Sequence, residues 1–412
     1  MDEPSAAVRG RTGTFAALAF PNYRLWFFGQ MTSLFGTWMQ STAQGYLVYE
    51  LTRSEAYLGY VGFASGIASW LFLLYGGAVA DRVPRRSLLV ITQGLSMVLA
   101  LVLAGLTFLH VVAPWHIILL AFSLGVVNAF DAPSRQSFVL EMVDRRVLTN
   151  AIAMNSMMFN LAMVVGPSVG GLAYAFFGPG WCFVINGLSF VAVIAALLAM
   201  KLTPWSPPAR TGSTIAEIRS GLRAVASDRR ILGVMCLLGA VSLFGMSFVT
   251  LIPAWAVGIL NGDATTNGFL QTARGVGALA AALGIAAFSP RRSRGKAMIF
   301  ATLLLPFLLV LFSLTRSLLL SLVALLAVGA ANIVANNLAN SLVQTLTPDH
   351  LRGRVMGVYM LTFFGFMPIG ALLAGAAATA VGVPLTVVLG AAGTLVCAAV
   401  LALAIPSIRR LE

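Results

Sequence analysis

The chain has 412 residues, of which 59% are hydrophobic and only 9% charged, where a soluble globular chain carries about a quarter charged residues. That balance excludes a water-soluble core and calls for runs of roughly 20 apolar residues that cross a bilayer as helices, each satisfying its own backbone polar groups. The net charge of +13 does not imply nucleic acid, because the basic residues sit in short connectors and form no clustered face with stacking aromatics.

In chain order, the polar opening with Arg9 and Arg11 lacks the short apolar core and cleavage site of a signal peptide. Twelve apolar runs follow, at 24–51, 57–80, 87–109, 115–133, 148–177 and 181–200, then 231–260, 265–288, 297–314, 318–345, 355–381 and 384–405. Alternate connectors are rich in arginine: Arg82, Arg85 and Arg86; Arg135, Arg145 and Arg146; Arg210 to Arg230; Arg291 to Lys296; Arg352 and Arg354. The opposite set holds only Arg53 and Arg316. The positive-inside rule therefore expects the rich side, with both termini, in the cytoplasm.

The expected organisation is a six-helix bundle over 1–200, a cytoplasmic linker over 201–230 and a second six-helix bundle over 231–412. The linker opens with Pro204, Pro207 and Pro208 and continues into Thr214-Ile-Ala-Glu217, a capping-box pattern. Its short helix has Ile215, Ile218, Leu222 and Val225 on one face, which suits either the inner leaflet or an ordinary solvated helix. A shift of 204 residues superposes Gly125 on Gly329, Asn128 on Asn332, Gly166 on Gly370 and Gly171 on Gly375. A slightly different shift lays Val83-Pro-Arg-Arg-Ser87 on Ser289-Pro-Arg-Arg-Ser293. These matches point to a parallel repeat of two bundles.

Between the second and third runs stands Gly76-Gly-Ala-Val-Ala-Asp81-Arg82-Val-Pro-Arg85-Arg86, which resembles the signature loop of the major facilitator superfamily, with Pro84 in place of the usual glycine. The resemblance implies a cytoplasmic latch in which Asp81 docks on the start of the eleventh helix, with Arg82, Arg85, Arg352 and Arg354 nearby. Gly166-Pro167-Ser-Val-Gly170-Gly171 in the fifth run resembles the G-P-x-x-G-G element of the superfamily's proton-linked exporters. Generic tight packing explains it equally well, with Gly275, Gly277, Ala281 and Gly284 of the eighth run as the facing surface. Asn22-Tyr-Arg-Leu-Trp-Phe-Phe-Gly-Gln30 and Asn128-Ala-Phe-Asp-Ala-Pro-Ser-Arg-Gln136 look like the bacterial exporter branch that contains the enterobactin exporter. The fold this implies is all-α, with twelve transmembrane helices in two pseudo-symmetric six-helix bundles, in a bacterial cytoplasmic membrane.

Polar groups at membrane depth are costly and often functional. Gln40 and Gln44 share a face of the first run with Thr37; Asn128, Asn155 and Asn160 lie in the fourth and fifth. Asn267, Gln271 and Arg274 line one face of the eighth run, and Asn332, Asn336 and Asn340 one row of the tenth. Each amide has interhelical bonding as its plain explanation; together they outline a wet central cavity. Arg274, about 14 Å deep, faces either an anionic cargo or gate, or a structural set of amides and carbonyls. None of the thirteen acids falls at mid-membrane. Glu50 at the outer end of the first run and Asp131, placed at a cytoplasmic helix end where it can pair with Arg135, are the candidates for proton coupling.

Cys182, Cys236 and Cys397 have neither disulfide nor metal-ligand spacing, and no P-loop or catalytic triad accompanies His110, His116 and His350. The chain is expected to be no enzyme, to need no cofactor or metal, and to act as a monomer. The function expected is secondary active, proton-coupled efflux of a small amphiphilic organic molecule, a drug, siderophore or lipid-like metabolite, with Arg274 as the hint of an anionic group on it. A lipid or lysolipid flippase on the same fold, or a receptor or scaffold that has lost transport, are the alternatives.

Overall fold

The computed structural model describes residues 15–202, 214–288 and 294–405, and these form helices and connectors without a strand. In the first half the long helices are α1 (Pro21–Thr52), α2 (Glu55–Ala80), α3 (Arg85–Phe108), α4 (Pro114–Phe138), α5 (Leu148–Phe177) and α6 (Pro179–Ala199). A short helix, α7 (Thr214–Ser227), follows. The second half contains α8 (Arg229–Ala240), α9 (Ile252–Gly258), α10 (Ala264–Phe288), α11 (Arg294–Leu314), α12 (Leu318–Leu346), α13 (Asp349–Val381) and α14 (Val383–Ala404). Eleven spans among the described residues are long and apolar enough to cross a membrane, with α8 to α9 counted as one. The twelfth, α1, is 32 residues long and falls short in apolarity because Gln30, Thr32, Ser33, Thr37, Gln40, Ser41, Thr42 and Gln44 interrupt it.

Three expectations about these elements change. The fourth run does not stop at Pro133 but continues to Phe138. Pro133 has no N–H for the Ala129 carbonyl, and Gly76 of α2 packs there instead; a methyl on Gly76 would lie 2.1 Å from that oxygen. The seventh run is broken. Its α-helical geometry loosens to a π turn at Val241–Gly245 and a 3-10 turn at Ser247–Leu251 before α9 resumes, with Pro253 in its first turn. The linker helix also packs on protein by one side, where Val225 of α7 is buried and Gly221 sits against the Arg354 backbone of α13, while Leu222 is exposed. The side chains of 214–218 and the second Pro-Arg-Arg motif at 289–293 lie outside the described residues.

The repeat appears in the packing. Gly125 of α4 faces the Ser65 carbonyl of α2, and its counterpart Gly329 of α12 faces the Arg274 carbonyl of α10, where added methyls would lie 2.2 Å and 2.0 Å from the oxygens. Gly166 of α5 meets Trp38 of α1, and Gly370 of α13 meets Leu243, which is Trp38's counterpart in the repeat to within one residue.

The apolar core is continuous on one side of the molecule and divided on the other. Near the arginine-poor connectors, Leu47, Leu58 and Tyr174 of the first half share one buried cluster with Trp255, Ala264 and Ala378 of the second. Near the arginine-rich connectors, Tyr23, Leu89, Phe138 and Leu197 form a cluster of the first half alone, and Ile231, Met298, Leu342 and Val355 one of the second. Two glycine crossings join the halves. Gly171 of α5 lies on α10, where a methyl would meet the Ala264 oxygen at 2.5 Å and the Gly268 Cα at 3.1 Å. Gly375 of α13 lies on α2, where a methyl would be 2.8 Å from both the Glu55 oxygen and the Gly59 Cα. Backbones this close leave room for no side chain, and the contact gains dispersion along both helices.

Candidate functional site

The interior face of α10 is set by its periodicity. Phe269, Val276 and Leu283 are exposed on one side, while Asn267, Gln271, Arg274 and Ala278 follow the opposite side. Asn267 is fully buried and donates through Nδ2 to the Thr42 carbonyl of α1 at 3.5 Å, across the two halves. Gln271 and Arg274 come next toward the divided side, both half-buried. Arg274 lies ten residues into α10, about 15 Å along its axis. Its Nε is buried and has no hydrogen-bond partner. Against α5, Thr272 donates to the Val164 carbonyl at 2.9 Å, and Gly275 packs on Met163 and Val164. Arg274 is therefore level with Met163, one turn beyond Asn160.

α12 contributes the neighbouring row. Asn336 Nδ2 donates to Asn332 Oδ1 at 3.0 Å, and the Tyr359 hydroxyl of α13 donates to the Asn336 carbonyl at 3.2 Å. Asn332 Nδ2 is buried without a partner. Asn340 accepts from Gln344 one turn on. In α5, Asn160 donates to the Ser156 carbonyl of its own helix at 2.8 Å, and Asn155 Oδ1 lies 3.0 Å from the Tyr23 hydroxyl of α1. Asn128 of α4 is exposed and Gln44 is buried. Trp38 of α1 and Phe159 of α5 stack edge to face at 5.7 Å, beside this polar set.

Two residues are not where the sequence places them. Gln40 is buried and accepts from Asn186 Nδ2 of α6 at 2.7 Å, which ties α1 to α6 inside the first half and removes Gln40 from the cavity lining. Asn186 is a lone amide in an apolar run, so the sequence offered no stripe by which to find it. Asp131 does not sit at a helix end. It lies seven residues inside α4, about 10 Å from the end, buried against α3. Its Oδ1 accepts from Thr92 Oγ1 at 2.9 Å and Gln93 Nε2 at 2.7 Å, and its Oδ2 lies 3.6 Å from Arg135 Nε.

On the arginine-rich side, Asp81 caps the end of α2 and Arg82 follows it. Arg85 pairs with Glu141 at 2.5 Å, and Arg86 donates to the Leu198 carbonyl at 2.6 Å, both within the first half. In the second half, Arg352 pairs with Asp349 at 2.5 Å and Arg354 donates to Ser220 of α7 at 3.0 Å. On the opposite side, Glu50 accepts a hydrogen bond from the Tyr174 hydroxyl.

The Gly-Pro element faces two ways. Gly166 and Gly170 pack on Trp38 and Met39 of α1, while Gly171 and the Pro167 carbonyl pack on Gly268 of α10. Of the facing surface expected in α10, Gly275 does touch α5. Gly277 packs on Leu326 of α12, and Gly284 has no neighbouring group within 4 Å. A recess of about 500 Å³ between α1, α5 and α6, bounded by Gly166, Val169, Ile185 and Leu188, opens on the exposed apolar flank and not on the central face.

Comparison with known proteins agrees with this architecture. The family described as transmembrane secretion effector matches residues 12–411. The multidrug efflux pump Tap of Mycolicibacterium fortuitum is 28% identical over 93% of this chain and 96% of its own length. The staphyloferrin A transporter of Staphylococcus aureus is 24% identical over 87% and 90%, and the enterobactin exporter EntS of Escherichia coli O1:K1 is 25% identical over 86% and 85%. Among solved structures, a bacterial homologue of the human lysosomal transporter Spinster superposes with a TM-score of 0.70 at 15% identity, covering 98% of this chain and 100% of that one, which establishes the fold. The chain belongs to the transmembrane secretion effector family of major facilitator exporters, and it is an efflux transporter rather than an enzyme.

Proposed function

We propose that the protein exports a small amphiphilic organic molecule, such as a siderophore or drug, by alternating access, in exchange for protons and as a monomer in a bacterial inner membrane. The observation that carries this reading is the core: continuous across the halves on the arginine-poor side and divided on the arginine-rich side. With the arginine-rich side and both termini in the cytoplasm, this is the state that takes cargo from inside the cell. Residues 1–200 and 231–412 are the two bundles that rock about the cavity, joined by 201–230.

Three groups of residues take roles in that cycle. Gln44, Asn128, Asn155, Asn160, Gln271, Arg274, Asn332 and Asn336 supply polar contacts to the cargo, whose apolar part rests on Trp38 and Phe159; an anionic group on the cargo suits Arg274. Asp81, with Arg82, Arg352 and Arg354, closes the cytoplasmic side as its carboxylate meets the N-terminal N–H groups of α13. Asp131 carries the proton: it is the one buried carboxylate of the described spans, and a proton taken there releases Arg135. Glu50, bonded to Tyr174 near the outer surface, is the second group on the proton path. The glycines of 166–171 serve export by letting α5 cross α10 closely enough to seal the outer side.

Proteoliposomes under an imposed pH gradient, loaded with matched cationic, neutral and anionic amphiphiles, test this reading. Accumulation of at least one compound that collapses with the gradient is expected. Transport indifferent to the gradient rejects proton coupling. Movement of a lysolipid and of none of the other compounds replaces the cargo class by lipid. No movement at all favours a receptor or scaffold.

A further inference from the structure

Arg274 stands on the face of α10 that looks across the molecule, and its Nε–H has no acceptor. The described residues of the second half offer it no counter-charge. After residue 230 the sequence holds three acids, Asp263, Asp349 and Glu412. Asp263 caps the start of α10 through Thr266, more than ten residues away along the helix, and Asp349 pairs with Arg352. Among the described residues, the polar side chains that α5 and α12 carry nearest this level are amides: Asn160, one turn from Met163, and Asn332, one turn from Gly329.

The second orphan lies beside the first. Gly329 seats α12 directly on the Arg274 backbone, and Asn332 is one turn further along the same helix. Asn336 occupies the Asn332 oxygen, which fixes the amide so that Nδ2 is left over. Two unmet groups on crossing helices are thus both donors, one of them charged. A buried donor without an acceptor costs free energy, more so when it is charged, and an acceptor-only, two-oxygen anion removes both costs together. The carbonyl that Pro167 leaves without a helical N–H, that of Met163, does not serve Arg274, because Gly275 packs against it.

We propose that Arg274 and Asn332 form the carboxylate-binding subsite of the cargo path, with Gly329 holding the arginine in place, and that the preferred cargo is an amphiphilic monocarboxylate. This rests on the export reading. The carboxylate oxygens accept from the guanidinium and from the Asn332 amide, while the apolar body lies toward Trp38 and Phe159. Cargo loading then supplies an acid at a depth where the described residues of the C-terminal bundle hold none.

The test uses the purified full-length chain and a matched pair of probes, 11-(dansylamino)undecanoic acid and its neutral primary amide, titrated by fluorescence. The wild type is expected to bind the acid about tenfold more tightly than the amide, as one charged hydrogen bond provides. Arg274→Gln should bring that ratio close to one by weakening the acid and sparing the amide. Asn332→Asp should do the same, because it keeps the acceptor for Asn336 and supplies the missing carboxylate from the protein itself. An unchanged ratio in either variant overturns the proposal, as does a wild type that binds both probes equally or neither. Where Arg274→Gln also loses the amide, Arg274→Lys decides: a reduced preference agrees and an unchanged one refutes. Proteoliposomes separate the two readings. Selective binding of the acid by a wild type that moves neither probe leaves the subsite standing and fails the export reading.

Discussion

Two charged side chains stand inside the spans, one in each half, Asp131 buried and Arg274 half-buried, and they are treated in opposite ways. Asp131 has its needs met: Thr92 and Gln93 donate to one oxygen, and Arg135 stands beside the other. Arg274 reaches the same kind of depth with an N–H that nothing accepts. A satisfied charge belongs to the architecture of its bundle and moves with it. An unsatisfied one keeps its free energy in reserve for whatever enters from outside. On the roles proposed above, the contrast sets a proton site held within its own bundle against a cationic site that waits for cargo.

The most damaging way to break the contrast is Asp131→Leu, which takes the carboxylate from buried Thr92 and Gln93 and from Arg135. Thermal or denaturant unfolding of the purified protein should show a loss of about 3 kcal/mol, while Arg274→Gln should stay within about 0.5 kcal/mol of the wild type or rise above it. Equal losses would erase the distinction. Asp131→Asn keeps the site filled and removes only its titration. Its expected outcome is export that equilibrates cargo but no longer accumulates it under a pH gradient, with unfolding shifted by about 1 kcal/mol. Gly171→Ala and Gly375→Ala each overpack one crossing between the halves by about 1–3 kcal/mol. Both should favour the outward-open state to a similar degree, measured by labelling of a cysteine introduced in the outer cavity; a large inequality would deny the pseudo-symmetry.

The smallest effect concerns an exposed charge. Asp228 caps α8 and is held below the usual carboxylate range by Arg230. Its contribution is therefore present above the carboxyl's unfolded pKa and lost as pH falls through its lowered folded value. Asp228→Ala should cost about 1 kcal/mol for the cap, and that cost should shrink in acid, where the neutral carboxyl no longer pairs with Arg230.

The spans, their connectors' charge asymmetry and the internal repeat were legible in the sequence, because each is a property of the chain read along its length. Azimuth was not. Nothing in the spacing of Thr37, Gln40 and Gln44 says that Gln40 turns to Asn186, because that depends on where α6 packs. Asp131 looked peripheral because Pro133 resembled a helix end, and the end moved once Gly76 took up the carbonyl that the proline left free. Gly275 and Gly277 are two residues apart and touch different helices. The orphaned donor on Arg274 was legible as a rare charge, but its lack of a partner is a fact about three helices at once.

The interruption in the seventh span has a mechanical consequence. Ile231 and Val234 of α8 belong to the divided core, while Ile252 and Trp255 of α9 belong to the shared one, and the loosened turns lie between them. A single stiff rod anchored in both would transmit every tilt of one end to the other. An elbow at the boundary lets one arm swing with its bundle while the other keeps its seat, so the joined core on the arginine-poor side need not be dismantled for small excursions on the arginine-rich side.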